Sequence, residues 1–428
     1  MTVAAVARMD NPALALLFGG MDRASDILIA GGGLNGASLA LALAGVGLSV
    51  TIVDPLAASV QLADDFDGRG YALALTSQRL LRAIGVWDGV ADHAQPMLEI
   101  KVGDGRAGEG ASPFVLEFDY AEIEEGPMGY MVEDRFLRRA LAQAVDQNPL
   151  IRQIAGASVI AQKIGPASVS ATLSTGESLA ARVLVGCDGR TSQTAARASI
   201  RRTGWDYGQS ALVCAIRHER PHNGVAHQFF MPPGPLAILP LVGNRSSIVW
   251  TEAHAEAARI HRLSDAEYLE VLRPRFGDFL GNIALVGGRY TYPLALTLAT
   301  DFVAERVALV GDAAHGLHPI AGQGLNAGLK DVAALAEVLA LARRRGEDIG
   351  RTDVLERYQQ WRRFDVATLA AATDTVNRLF SNDNSILRLG RNIGLGLVNA
   401  LPGLRRTLIR EAAGLTGDLP KLLQGRPI

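Results

Sequence analysis

The residues best placed to do chemistry lie late in the chain, in the run Gly311-Asp312-Ala313-Ala314-His315-Gly316-Leu317-His318-Pro319-Ile320-Ala321-Gly322-Gln323-Gly324-Leu325-Asn326. An apolar stretch from Arg306 to Val310, read as a strand, leads into it, and a long helix is expected from about Leu325. Glycines in such a run let backbone N–H groups come close to a ligand, and a helix N-terminus offers partial positive charge to an anion. Asp312, at the end of a parallel strand, is suited to accept hydrogen bonds from a polyol. The run therefore reads as a strand-to-helix junction that faces a ligand.

A second junction of this kind lies near the start. Asp26 to Ala30 reads as a buried strand, followed by Gly31-Gly32-Gly33-Leu34-Asn35-Gly36 and a small-residue helix from Ala37 to Gly45. In this context Gly31 allows the tight turn, Gly33 lets a pyrophosphate approach, and Gly36 lets the helix pack on the strand. The next strand, Ser49 to Val53, ends in Asp54, at the place where a carboxylate accepts hydrogen bonds from an adenosine ribose. These features specify a dinucleotide but do not separate NAD from FAD. A third element, Arg182 to Cys187 leading into Asp188-Gly189-Arg190-Thr191-Ser192, is a strand running into an Asp-Gly turn, which by itself is a common loop.

Taken in order, these motifs and the HxxHPxxGQGxNxGxxD run to Asp331 resemble the class A FAD-dependent aromatic hydroxylases, the fold of para-hydroxybenzoate hydroxylase. The resemblance implies a Rossmann-type α/β FAD-binding domain with a parallel sheet, an antiparallel-sheet substrate domain and C-terminal helices. It implies Gly31, Gly33 and Gly36 on the pyrophosphate, Asp54 on the ribose and Asp312 on the ribityl chain. Pro319 would face the flavin ring, with Gly322, Gln323, Gly324, Leu325 and Asn326 along its edge. Arg69, in Asp67-Gly68-Arg69-Gly70-Tyr71, matches the family's flavin-proximal arginine, and Asp188 its Asp-Gly motif, which serves both FAD and the nicotinamide cofactor. Arg135, in the lead into a helix that flanks FAD, is carried over as a further cofactor contact, against the plain reading of a solvated helix arginine.

The same resemblance implies an activity. FAD reduced by NADPH or NADH reacts with dioxygen to a C4a-hydroperoxide, and its distal oxygen goes to an electron-rich ring. A helix N-terminus at Gly324 to Asn326 would stabilise negative charge on the reduced ring, and water must be kept out. A flavin-dependent reductase, another small-aromatic hydroxylase and a non-catalytic flavoprotein subunit are the alternatives. The halogenases of this fold carry a WxWxIP motif, and Trp87, Trp205, Trp250 and Trp361 stand alone.

Composition narrows the field further. With 428 residues the chain can form two or three domains, and a net charge of −2 gives no general attraction to nucleic acid. The two cysteines, Cys187 and Cys214, argue against a disulfide framework or a zinc site and favour a reducing cytoplasm. His315 and His318 invite a metal, but no Glu or Cys completes a shell nearby, so both are expected to be satisfied structural histidines. No Ser-His-Asp or paired-carboxylate arrangement is evident in the sequence.

Elements that must position these residues follow from patterning. Residues 25–96, 128–200 and 301–345 are assigned to the FAD-binding domain, 97–127 and 201–300 to the substrate domain, and 346–428 to a C-terminal helical region. Residues 1–24 are expected to be a disordered leader or an over-called start ahead of Met21. Strands are expected at Ala211 to Arg217, Ala226 to Met231, Leu236 to Leu241 and Ser246 to Thr251, forming a sheet over the flavin. Gly234 to Leu241, Ser247 to Trp250, Tyr290 to Leu294 and the tail from Leu387 to Gly414 are similar to the ubiquinone-biosynthesis hydroxylases.

A pocket face made of Phe229, Leu239, Pro240 and Pro293 would be apolar and suit a prenylated phenol or quinol. In the tail, Ile386, Leu389, Ile393, Leu397, Leu401, Leu404 and Leu408 recur near helical spacing, with arginines in excess. Peripheral membrane contact or membership of a ubiquinone-biosynthesis complex is one expectation; packing on the FAD domain is the other.

Overall fold

Strands Ser25–Ala30 and Val50–Asp54 carry the apolar runs Ile27 to Ala30 and Ile52 to Val53 because both faces are covered there, as in any parallel sheet wrapped by helices. In the computed structural model, which describes residues 25–61, 68–108, 110–381, 394 and 397–428, they lie at the centre of the first sheet. Its parallel order is Ile151–Ala155, Val50–Asp54, Ser25–Ala30, Ser178–Gly186, Val307–Leu309. The chain leaves Ser25–Ala30 toward one side and later fills the other. That makes the end of this strand a topological switch point, the place where open α/β sheets bind ligands. A hairpin, Val159–Ile164 and Val169–Leu173, pairs antiparallel onto Ser178–Gly186. The expected leader lies outside the described residues.

The second sheet is largely antiparallel. It runs Ile283–Ala299, Arg202–His218, Arg245–Ala253, Gly234–Leu241, Val225–Met231, Glu99–Arg106, Gly110–Asp119, with His315–Gly316 pairing at its edge. The stretch after residue 97 thus joins it through a parallel pairing of Glu99–Arg106 with Val225–Met231. One face carries Leu212, Phe229, Ile238 and Trp250 against the helices His254–His261 and Asp265–Phe276. The other face is free to meet the first sheet's ligand junctions. A small third sheet, Gly70–Ala74, Gly129–Glu133 and Ala94–Met97, was not anticipated and joins the two.

The helix Gln323–Arg344 is buried along most of its length, with Thr352–Phe380 packed on it. The chain's end returns to the first sheet's core: Leu422 and Leu423 are buried there, and the Lys421 backbone N–H donates to Glu337 at 2.8 Å. The helix Pro402–Ala412 sets Ile409 against Leu75, Ile123 and Met128. Of the apolar tail series, Ile386, Leu389 and Ile393 lie outside the described residues, while Leu397, Leu401 and Leu404 are exposed.

Candidate active site

At the first junction the glycines are required by space. Gly31 has φ +104°, and a Cβ there would stand 2.3 Å from the Cys187 carbonyl oxygen; a Cβ on Gly36 would stand 1.9 Å from that of Gly31. A Cβ on Gly33 would meet nothing within 4 Å, so its backbone faces open space at the start of helix Leu34–Gly45. Asp54 is buried and holds the loop, its carboxylate accepting from the backbone N–H of Gly32 at 2.6 Å and of Leu56 at 2.7 Å. Gly32, Gly33, Asp54, Leu56 and Arg138 line a cavity of about 60 Å³. The close backbone, the helix N-terminus and the carboxylate fit the ADP half of FAD.

The second junction is held by buried charge. Asp331, on the helix Gln323–Arg344, is fully buried, and its carboxylate accepts from the Gly311 backbone N–H at 2.9 Å, His315 Nε2 at 2.6 Å and Arg362 Nε at 2.8 Å. Burial alone would raise this carboxyl, but the His315 imidazole and the Arg362 guanidinium outweigh it and hold it below its ordinary value. Gly311 has φ +64°, and its missing Cβ is replaced in space by Asn35 Nδ2, 2.3 Å from where that Cβ would lie. The same amide fills the notch at Gly328. Asn35, from the first junction, therefore interlocks the two. Neither it nor the Arg362 contact was singled out in the sequence, since both depend on long-range packing.

Asp312 accepts from Arg190 Nε at 3.1 Å and stays partly exposed, so its carboxylate is accessible beside the Asp-Gly loop. Asp188 is used differently from the expectation of a cofactor ligand. Its carboxylate accepts from Ser192 Oγ at 2.5 Å and from the backbone N–H and Oγ1 of Thr194 at 2.9 Å each, holding the loop in front of the short helix Gln193–Arg197.

Between the second junction and the free face of the antiparallel sheet lies a cavity of about 390 Å³. Pro319, Gly322, Gln323, Gly324, Leu325 and Asn326 line one side. Gly322 is left-handed at φ +65° and caps the helix, which begins at Gln323, two residues before the expected Leu325. Asn326 touches the cavity, but its amide is engaged within the protein. Oδ1 accepts from the Ala74 N–H at 2.9 Å and Ser77 Oγ at 2.8 Å, while Nδ2 donates to the carbonyls of Ala72 at 2.8 Å and Gly322 at 3.0 Å. It ties the start of the helix Gln323–Arg344 to the strand Gly70–Ala74.

Arg69 and Arg135 line neither cavity. The Arg69 guanidinium lies 3.3 Å from the Asp134 carboxylate, which also accepts from the Tyr71 hydroxyl at 3.1 Å. Arg135 donates to Glu133 at 2.9 Å and stacks over the Phe136 ring at 4.5 Å. Tyr71, next to Arg69 and missed in the sequence, does line the larger cavity, and burial with the Asp134 charge pushes its phenol far up, so it stays neutral.

Of the four expected pocket residues only Leu239 lines the cavity. Strand alternation explains Phe229: Gln228 and Phe230 face the cavity, so Phe229 turns into the opposite core. Pro240 does not reach the cavity, and Pro293 lies exposed on the strand Ile283–Ala299.

His315 bonds Asp331 through Nε2 while its buried Nδ1 has no partner, and His318 departs further from the expectation: it is buried, neither ring nitrogen has a partner, and it meets Tyr207 edge-on at 5.1 Å. Burial and the nearby Arg190 push it down to about 4. Among the described residues no group of His, Cys, Asp and Glu could hold a metal ion. One Ser-His-Asp chain does exist that the sequence hid: Ser210 Oγ lies 2.8 Å from His254 Nδ1, and His254 Nε2 lies 2.9 Å from Asp206. It borders neither cavity.

Comparison with known proteins gives these features relatives. Residues 24–373 match the FAD binding domain family. The chain is 45% identical over 413 residues to the ubiquinone hydroxylase UbiL of Rhodospirillum rubrum, covering 96% of this chain and 95% of that one. It is 34% identical over 394 residues to the 3-demethoxyubiquinol 3-hydroxylase of Escherichia coli, covering 91% and 99%. The solved p-nitrophenol 4-monooxygenase of Pseudomonas putida shares the fold, with a TM-score of 0.77 at 19% identity over 93% of this chain and 99% of that one. A cradle that fits FAD, and full-length relatives that are hydroxylases, lead to one assignment: this chain is an FAD-dependent monooxygenase of the aromatic hydroxylase family, in the branch of the ubiquinone-biosynthesis hydroxylases.

Proposed function

We propose that the protein hydroxylates the ring of a polyprenylated phenol or quinol on the way to ubiquinone, with dioxygen and with NADPH or NADH as reductant. The observation that carries this reading is the 390 Å³ cavity, whose sheet side is built from side chains such as Ile100, Val102, Ala237, Leu239 and Val249 and whose other side is the Pro319–Asn326 turn. The turn side of this space is where the flavin ring would lie, and the apolar sheet side suits an aromatic head with the start of an apolar chain. Arg190 touches it, but that charge is paired with Asp312, so a small carboxylate finds no dedicated counterion there.

FAD, when bound, supplies the two-electron chemistry and the activation of dioxygen. The protein's part is placement. Gly31, Gly33, Gly36 and Asp54 would hold the ADP half and Asp312 the ribityl chain. Backbone N–H groups at Gln323, Gly324 and Leu325, at the start of a buried helix, would stabilise negative charge on the ring. Pro319 offers no N–H to it, and the apolar sheet face excludes water.

Among the described residues no helix is long and apolar enough to cross a membrane. Ala412, on the helix Pro402–Ala412, touches the cavity, while Leu401, Leu404 and Arg406 nearby are exposed. Arg405 and Arg410 are tied to Glu122 and Glu125, so less basic charge is available than the sequence suggests. We read this end as a peripheral contact with a membrane that holds the substrate.

The test is a turnover of FAD-loaded protein with NADPH or NADH, labelled dioxygen and a prenylated phenol. Labelled hydroxylated product is expected. Reduction of the phenol's chain without label would support a reductase instead, and no turnover with any reductant would support a non-catalytic subunit.

A further inference from the structure

On its sheet side the cavity is lined by apolar residues apart from His227 and Gln228. Strand registry sets Val102, Gln228, Ala237 and Val249 side by side in one row across four strands, and all four line the cavity. Along its own strand Gln228 is flanked on the same face by Ala226 and Phe230, which also line it. His227 also borders the cavity, but its ring packs against Phe279 at 4.5 Å and Phe229 at 5.8 Å, and burial and Lys101 push it down to about 4. The nearest side chains to Gln228 on this face therefore give it nothing to bond. Its Nε2 is buried and has no hydrogen-bond partner.

A buried amide donor left unmatched is costly, and an apolar residue of the same shape would avoid the cost. Its position at the centre of a substrate wall is what a recognition group needs: apolar neighbours exclude water and strengthen the one polar contact.

We propose that Gln228 reads the oxygen substituents of the aromatic head, Nε2 donating to a ring oxygen and Oε1 accepting from a ring hydroxyl. This rests on the reading of the cavity as the site for a prenylated phenol or quinol. Gln228 thereby selects an oxygenated ring over a bare one and fixes the ring's rotation, while the Ile100, Val102 and Leu239 side chains hold the apolar part.

The experiment compares two probes on the FAD-loaded protein, 2-geranylphenol and geranylbenzene, which differ by the ring hydroxyl. Affinity is read from the change in flavin absorbance on titration. The wild-type protein should bind the phenol about 10-fold or more tighter. Gln228→Leu should bind geranylbenzene at least as well as wild type and lose the preference, and Gln228→Met should behave alike. Unchanged FAD content and thermal melting establish that both variants are folded, as expected for an apolar replacement of an unmatched amide.

A wild-type preference that survives in both variants would overturn the role of Gln228 and leave the cavity reading standing. So would equal, tight binding of both probes by wild type. Binding of neither probe by wild type would overturn the cavity reading, and the role of Gln228 with it.

Discussion

The two ligand junctions solve the same problem with different materials. The turn Gly31–Gly36 is held through backbone N–H groups: Gly31 donates to the Val53 carbonyl at 2.8 Å, and Gly32 and Leu56 donate to the Asp54 carboxylate. The turn at Gly311 is held by a buried charge cluster, Asp331 with Arg362 and His315 behind it, and by the amide of Asn35 from the first junction. Local parts suffice where backbone N–H groups and a fixed helix start do the binding. A second site that must meet the antiparallel sheet and carry Pro319 and Gly322 at a set depth is tied down by buried charges.

That contrast can be broken most decisively at the two aspartates. Asp331→Ala leaves the buried His315 without its carboxylate and Arg362 with Asp365 alone, and should cost ~3–5 kcal/mol of stability. Asp54→Ala removes acceptors from two backbone N–H groups and should cost ~1–3 kcal/mol. Chemical denaturation of both variants checks this, and equal losses would remove the distinction.

Acid should act on the second junction as well. His318 titrates at about 4 when folded and near the ordinary 6.5 when unfolded. Between those values the unfolded chain binds more protons, so stability is fully kept above about pH 6.5 and falls as pH drops toward 4. A shift this large corresponds to up to ~3 kcal/mol, and His227, equally depressed, adds to the slope. His318→Leu should flatten the profile; an unchanged profile would mean the buried imidazole does not titrate as described.

A smaller and sharper effect separates the glycines. Gly31→Ala meets a backbone carbonyl, which no side-chain change can relieve, whereas Gly311→Ala meets the Asn35 amide. Trimming that amide with Asn35→Ala should restore ~1 kcal/mol to Gly311→Ala in a double-mutant cycle and nothing to Gly31→Ala.

The same contrast explains how much could be read in advance. The first junction was legible because strand, glycines, helix and Asp54 are close in sequence and each is dictated by local geometry. At the second, Asp312, Pro319 and Gly322 to Asn326 were named from the motif. The roles of Asp188 and Asn326 as clamps, and the removal of Arg69 and Arg135 from the cavities, are set by hydrogen bonds to other segments. On the sheet, the strands Val225–Met231, Gly234–Leu241 and Arg245–Ala253 matched their alternation, yet Phe229 was assigned to the wrong face. Alternation tells which residues share a face, not which face is the pocket. His318 and the Ser210–His254–Asp206 chain were hidden because partners, or their lack, appear only after packing.

We propose that the two junctions hold the two halves of one FAD. Calorimetric titration of apoprotein with ADP and with FAD tests it directly. Asp54→Ala should weaken both ligands, whereas Asp312→Ala should weaken FAD about 10-fold or more and leave ADP affinity unchanged. If Asp312→Ala weakens ADP as much as FAD, or leaves FAD affinity intact, the division of the cofactor between the junctions is wrong.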